Sequence, residues 1–424
     1  MRILDAAVTP VAFADPPLLN VMGVHEPFAL RSVVQLRCED GVTGLGESYG
    51  DAAFLGEVRK VLPHLAGHDV FDLPGLRRTV AAALADTVLT DEHGLIGGFS
   101  LRKTLSSVFS LFEVACLDAQ GHYLDRPVVD LLGGPARTSV DFSAYLFYKY
   151  GAHRESDGRP GAGEDSWGEI LDPEALVGSA RRMVAEFGFG SLKLKGGVFP
   201  PRQEVEAVRA LAGAFPGTPL RLDPNAAWTA STAVQVAAEL DGVLEYLEDP
   251  TPGIEGMARV AGTAAMPLAT NMCLVSQDDI EPAFRARAVG VLLSDHHFWG
   301  GLRATQALST TCESFGVGLS MHSNSHLGIS LAAMVHVAAA TPHLTYACDT
   351  HWPWKTEDVI APGALEFQDG AVQVPRGPGL GVVLDPDALA RAHENYLRCG
   401  LTRRDDARYM RRYVPGFEPN TARW

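Results

Sequence analysis

The chain has 424 residues and a formal net charge of −16 with histidine neutral, a length that suggests two domains or one large barrel with an added piece. The acidic balance argues against a nucleic-acid partner, because phosphate binding takes a basic surface, yet it admits a small anionic substrate, since a few local cations dominate one pocket. No run of eighteen apolar residues is present, residues 1–13 lack the basic and apolar regions of a leader, and six scattered cysteines form no C-x-x-C pair; a cytoplasmic protein with reduced thiols and no membrane partner is expected.

In chain order, residues 31–38 and 43–47 flank Asp40-Gly41, a strong hairpin turn signal. The glycines at 41, 44 and 46 do not make a phosphate loop, because no helix opens after them. Helical patterns follow over 58–65, 75–85 and 105–124, so residues 1–138 read as a separate α+β domain. The stretches 18–25 and 94–99 are apolar and glycine-hinged, suited to a lid over a pocket.

From residue 140 the pattern changes. Residues 140–147 alternate like a strand, a polar loop covers 151–165, and apolar runs at 191–195, 219–222, 243–247, 266–270, 291–294 and 317–321 each end in a polar residue. Helical stretches at 202–214, 231–240, 277–288 and 302–315 separate them. Strands alternating with helices imply right-handed βαβ units and a parallel sheet, and about eight such units close into a barrel with its chemistry at the C-terminal strand ends. The eighth strand is expected at 344–348, leading into Asp349-Thr350-His351. The barrel is assigned to 139–374, and the Gly/Pro-rich exit at 375–381 opens a C-terminal segment, 375–424, with a helix over 386–397 and the basic pair Arg403-Arg404.

Lys193 and Lys195 share one face of the strand at 191–195, and burying two lysines is costly unless they have partners. Asp223, Glu248 and Asn271 end three consecutive strands; these hard oxygen donors suit Mg²⁺. Asp295 and His322 end neighbouring strands, so the carboxylate orients the imidazole, with Lys195 across the barrel. His322 and His326 have the i, i+4 spacing of a zinc helix but lack its glutamate, so His326, like His296 and His297, is read as structural.

Taken with Asn20-Val21-Met22-Gly23-Val24-His25, Asp223-Pro224-Asn225, Ala269-Thr270-Asn271-Met272, Asp295-His296-His297-Phe298-Trp299 and His322-Ser323-Asn324, these motifs make the chain resemble the enolase superfamily over nearly its whole length, and within it the glucarate dehydratase group. Asn271, where other groups carry a carboxylate, is the most specific mark. The resemblance implies an α/β barrel of the modified (β/α)₇β type under an α+β cap that the C-terminal segment completes. It implies Mg²⁺ on Asp223, Glu248 and Asn271, acid/base roles for Lys195 and His322, and Asp295 as partner of His322. Lys193, Asn225, Ser323, Asn324, His25, Tyr145, His351 and Arg404 match positions that contact an acid-sugar substrate, D-glucarate by that likeness. Gly98 stands where the group carries a hydroxyl, which leaves another aldarate or a sugar monoacid as alternative substrates; a non-catalytic binding relative is the alternative of another class. A homo-oligomer is compatible with all of this.

Overall fold

The structure, a computed structural model, describes residues 1–87, 101–154, 165–419 and 422–424. The stretch 94–99 with Gly98, and most of the polar loop at 151–165, lie outside the described residues.

The first layer is a three-stranded antiparallel sheet of β1 (Ile3–Ala14), β2 (Phe28–Cys38) and β3 (Thr43–Tyr49), in that order. The expected hairpin turns at Asp40 and Gly41, with φ of 61° and 75°; strand β1 is an addition to the reading from sequence. Helices α1 (Ala52–Val61) and α2 (Leu73–Ala83) precede α3 (Leu101–Leu124), which lies on β3. A Cβ on Gly44 would stand 2.0 Å from the Ala115 carbonyl oxygen, and one on Gly46 2.4 Å from that of Leu111. These glycines let a helix approach a strand backbone, which accounts for them without a phosphate.

The second layer is a parallel barrel. Its strands are β4 (Ser139–Phe147), β5 (Leu192–Lys195), β6 (Leu220–Asp223), β7 (Tyr246–Glu248), β8 (Leu268–Thr270), β9 (Val291–Ser294), β10 (Gly318–Met321) and β11 (Cys348–Thr350). Successive strands from β4 to β10 pair in parallel, and β11 pairs with β4. The ring closes where the Thr345 and Tyr346 amides donate to the Leu319 carbonyl at 3.0 and 3.1 Å. Helices α4 (Pro173–Phe187), α5 (Pro201–Ala214), α6 (Ala230–Glu239), α7 (Gly253–Ala261), α8 (Gln277–Arg285), α9 (Leu302–Phe315) and α10 (Gly328–Ala339) follow the first seven strands. Strand β11 is followed by a short turn, Trp352–Trp354, instead of a helix, so the order is (β/α)₇β.

One expected element moves. Residues 344–347 do not form the eighth strand; their amides bond to Leu319, and the Ala347 carbonyl accepts from Arg221 and Ser320. The strand is therefore Cys348–Thr350, which puts Asp349 inside the barrel wall.

Helix α11 (Pro386–Cys399) returns to β1, where His393 Nδ1 meets the Pro10 carbonyl at 2.7 Å. Helix α12 (Asp406–Met410) packs on the small hairpin of Leu19–Asn20 and Gly23–Val24, where Gly23, at φ +131°, leaves no room for a side chain against the Asp406 backbone. Buried carboxylates fasten the sheet and α3 to the barrel at helix starts, where unpaired N–H groups and the helix dipole favour an anion. Glu113 accepts from the Leu302 amide at 2.6 Å, and Glu47 accepts from Leu327 and Ser330 at 2.7 and 2.8 Å. No helix among the described residues is long and apolar enough to cross a membrane.

Candidate active site

The face of β5 that carries both lysines points into the barrel. Lys193 is fully buried, with Nζ 2.7 Å from Asp349 Oδ2 and 2.6 Å from Glu248 Oε2. Lys195 Nζ donates to Asp223 Oδ2 at 2.8 Å and to Asn225 Oδ1 at 2.7 Å, and the Tyr145 hydroxyl donates to the same Asp223 oxygen at 2.8 Å. Asn225 takes a left-handed φ of 51° just past the end of β6, an unfavourable conformation of the kind that collects at working sites. Burial opposes the charge of Asp223, but Lys195 and Lys193 prevail and bring its carboxyl down to about 2.

The chemistry of this cluster suits a cation. Both oxygens of Glu248 and Oδ1 of Asn271 are buried without a hydrogen-bond donor; Lys193 is close to Glu248 but not aligned to donate. Three carboxylates, Asp223, Glu248 and Asp349, face two ammonium groups. Burial holds the Glu248 carboxyl well above the usual range in spite of Lys193. Orphaned oxygen donors with excess negative charge fit Mg²⁺, with Asp223, Glu248 and Asn271 as the residues to hold it. Asp249 orients the third of these by accepting from the Asn271 amide at 2.8 Å and from the Thr270 hydroxyl at 2.5 Å.

Across the barrel, Asp295 Oδ2 lies 3.1 Å from His322 Nδ1 and Oδ1 lies 2.6 Å from His297 Nδ1. Burial works against the Asp295 charge, but His297 and His322 hold the carboxyl well below the ordinary range. A carboxylate at His322 Nδ1 keeps the proton there and leaves Nε2 as the free base. Ser323 Oγ meets His326 Nε2 at 3.0 Å and His351 Nδ1 at 3.4 Å. Burial, and then the neighbouring cations, keep His351 neutral, well below the usual histidine range. The ligand atoms of Asp295, His296 and His297 lie within 4.8 Å of one another, but the Arg31 guanidinium 3.0 Å from His297 Nε2 opposes a metal ion there.

Between the two walls is a cavity of about 390 Å³. Lys195, Asn225, Tyr145 and Asn271 line it, as do His322, Ser323, Asn324 and His351, with the His351 ring 5.1 Å from that of Tyr145. His25 and Arg404 close it from the cap and the C-terminal segment. His25 Nδ1 is 3.0 Å from Asp15, and Arg404 is clasped by Asp406 through two bonds of 2.7 and 2.6 Å. Lys193, expected as a substrate contact, is not part of this lining; its ammonium is taken up by Asp349 and Glu248 beside the Tyr145 ring.

Residues 175–388 match the family described as enolase C-terminal domain-like, and residues 5–133 match the mandelate racemase / muconate lactonizing enzyme N-terminal domain. The chain belongs to the enolase superfamily. It is an enzyme of that superfamily, and a lyase. A Streptomyces coelicolor protein named probable glucarate dehydratase is 51% identical over 436 residues, covering 100% of this chain and 99% of the relative. A Thermobispora bispora enolase crystallised with magnesium and formate is 58% identical, with a TM-score of 0.97 and 100% of both chains covered. A Pseudomonas fluorescens enolase with bound magnesium, potassium and tartrate is 49% identical, with a TM-score of 0.96 and coverage of 100% and 99%.

Within this enolase-superfamily frame, reading the sequence missed four residues around the site. Asp349 was hidden by the misplaced eighth strand, although it directly follows that apolar run. His297 was read as structural, and what that reading did not name is the group it holds, Asp295. Arg31 and Glu47 lie on the cap hairpin, and nothing in their local pattern marks Arg31 as a partner of Asn324 and His297, or Glu47 as a partner of Leu327 and Ser330.

Proposed function

We propose that the chain is a Mg²⁺-assisted acid-sugar dehydratase that converts D-glucarate to 5-dehydro-4-deoxy-D-glucarate. The observation that supports this reading is that Lys195 and His322 line one cavity, near buried oxygens of Glu248 and Asn271 that no protein donor reaches. When bound, Mg²⁺ supplies the positive charge that makes the proton next to a carboxylate acidic. His322 Nε2 takes that proton from one face, and Lys195, in its neutral amine form, takes it from a substrate of the opposite configuration. Lys193 adds charge behind the site to favour the electron-rich state. Protonated His322 then gives its proton to the departing β-hydroxyl, water leaves, and the enol relaxes to a keto group. His25 and Arg404 hold the far end of the sugar chain. The 51% identical relative supports the substrate class.

A sugar monoacid is the second reading, favoured by the two bonds that Arg404 already donates to Asp406, which weaken its pull on a distal carboxylate. A panel of mono- and diacid sugars, assayed for keto-acid formation with Mg²⁺, separates the two. Turnover of glucarate above all others supports the first reading, and preference for a monoacid overturns it.

A further inference from the structure

Arg31 sits on β2, in the cap, and is 2% exposed. Its Nε donates to Glu47 Oε1 at 2.8 Å, Nη1 to Asn324 Oδ1 at 3.1 Å, and Nη2 approaches His297 Nε2 at 3.0 Å and Ser330 Oγ at 3.2 Å. A guanidinium only donates and an ionised carboxylate only accepts, so Arg31 and Asp295 hold the two side chains between them in one orientation. His297 Nε2, which also lies 2.8 Å from Ser330 Oγ, accepts from Arg31, and its proton is on Nδ1, which faces Asp295 Oδ1 at 2.6 Å. Asn324 must present its oxygen to Arg31, so its amide nitrogen faces Asp295 Oδ2 at 3.4 Å. With the His297 backbone amide at 2.9 Å and His322 Nδ1 at 3.1 Å, every neighbour of Asp295 then points a donor at it.

We propose that Arg31 is a positioning residue for the base His322: from the side opposite Asp295 it locks the tautomer of His297 and the amide orientation of Asn324, and so holds in place the Asp295 carboxylate that aims His322. The cap thereby governs one of the two bases and not the other. Lys195 takes its partners, Asp223 and Asn225, from within the barrel. The inference rests on the two-base reading above.

The test is solvent-deuterium exchange at the acidic carbon, measured separately on the two epimers of the substrate with Mg²⁺ saturating. Arg31→Met should slow the exchange that uses His322 by about tenfold or more and leave the exchange that uses Lys195 within about twofold. Arg31 also borders the cavity; if it touched substrate instead, both exchanges would fall together and KM would rise, and that outcome overturns the proposal. Arg31→Met leaves Glu47 buried without its cation, so a pair of variants at His297 tests the same idea with Arg31 intact. His297→Asn keeps a donor where Nδ1 stood and should retain most of the His322-dependent exchange. His297→Gln moves the amide to the Nε2 position and should lose it. Equal behaviour of the two overturns the proposal. In the His297→Asn background, Arg31→Met should cost several-fold less than in the wild type, because one of the two choices it governs is gone and only Asn324 remains; full additivity also counts against it. If the wild-type enzyme exchanges neither epimer, the two-base reading falls and this inference with it. If the wild type exchanges both and Arg31→Met loses both equally, this inference alone falls.

Discussion

The two walls of the cavity are built in opposite ways. The Lys195 wall is made by consecutive strands, each group meeting a partner one strand away: Lys195 with Asp223, and Asn225 just beyond it. The loop after Lys195 is pinned from within the same βα unit, where Glu204 accepts from the amides of Gly197, Val198 and Phe199 at 3.0, 2.9 and 3.0 Å. The His322 wall is supported from outside the barrel. Arg31 and Glu47 reach it from the cap sheet, and on α3 Ser110 donates to the His296 carbonyl at 2.6 Å while Glu113 caps the start of α9. The comparison teaches that Lys195 takes its partners from the barrel alone, whereas the surroundings of His322 are complete only once cap and barrel have docked.

The largest effect expected removes what both walls share. Chelation should abolish keto-acid formation and Mg²⁺ should restore it, while Asp223→Ala should lose Mg²⁺ binding by calorimetry. Full turnover of a metal-free preparation would sink the assignment of Asp223, Glu248 and Asn271. Next in size, Lys195→Ala and His322→Ala should each cost at least about 10² in rate, as general acid–base groups do. Each should also abolish deuterium exchange from only one epimer; a variant that exchanges both at the normal rate refutes the division of labour between the walls.

The same contrast explains what the sequence could and could not reveal. The Lys195 wall was legible because barrel chemistry falls at strand ends at regular intervals, so Lys195, Asp223, Glu248 and Asn271 could be placed together by counting strands. Asp295 and His322 were legible for the same reason. Their supports were not, since Arg31 meets Asn324 across 293 residues and Glu113 meets Leu302 across 189. Such pairs come from the docking of two layers, which leaves no periodic trace in either one. The eighth strand was misread because 344–348 is as apolar as a strand, yet Thr345 and Tyr346 spend their amides closing the ring on Leu319.

A smaller effect sharpens the comparison on the Lys195 side. Glu204→Gln replaces an acceptor of three amides by a side chain with a donor of its own, and should loosen the loop that follows Lys195. Exchange from the epimer served by Lys195 should fall about tenfold, with exchange through His322 nearly unchanged. An equal loss from both epimers would mean that Glu204 supports the whole barrel mouth.

The smallest effect concerns stability, and it tests the docking on the His322 side. Burial raises the Glu113 carboxyl to about 7, although the amides of Leu302 and Arg303 act to lower it. Between the unfolded value near 4.5 and about 7, the folded chain therefore holds a proton that the unfolded chain has released. Stability from this group is greatest at the acid end, declines as pH rises through that window, and is level above it. The full span amounts to at most about 3 kcal/mol. Asp295 and Asp406 are shifted the other way, so their contribution is lost only below the ordinary carboxylate range, outside the window. Burial also raises Glu26, Asp118 and Glu204 and lowers His153, His296, His326, His336 and His351, which act on stability in opposite directions over this range, so the measurement is a difference. In thermal melting with saturating Mg²⁺, which keeps the metal-site carboxylates from titrating, the melting temperature of the wild type should fall by a few degrees relative to Glu113→Gln between pH 5 and pH 8, since the variant's amide stays neutral at both ends. A Glu113→Gln enzyme whose melting temperature tracks the wild type across the whole range would show that Glu113 is ionised throughout, and that the cap docks on the start of α9 through a charge and not through a shared proton.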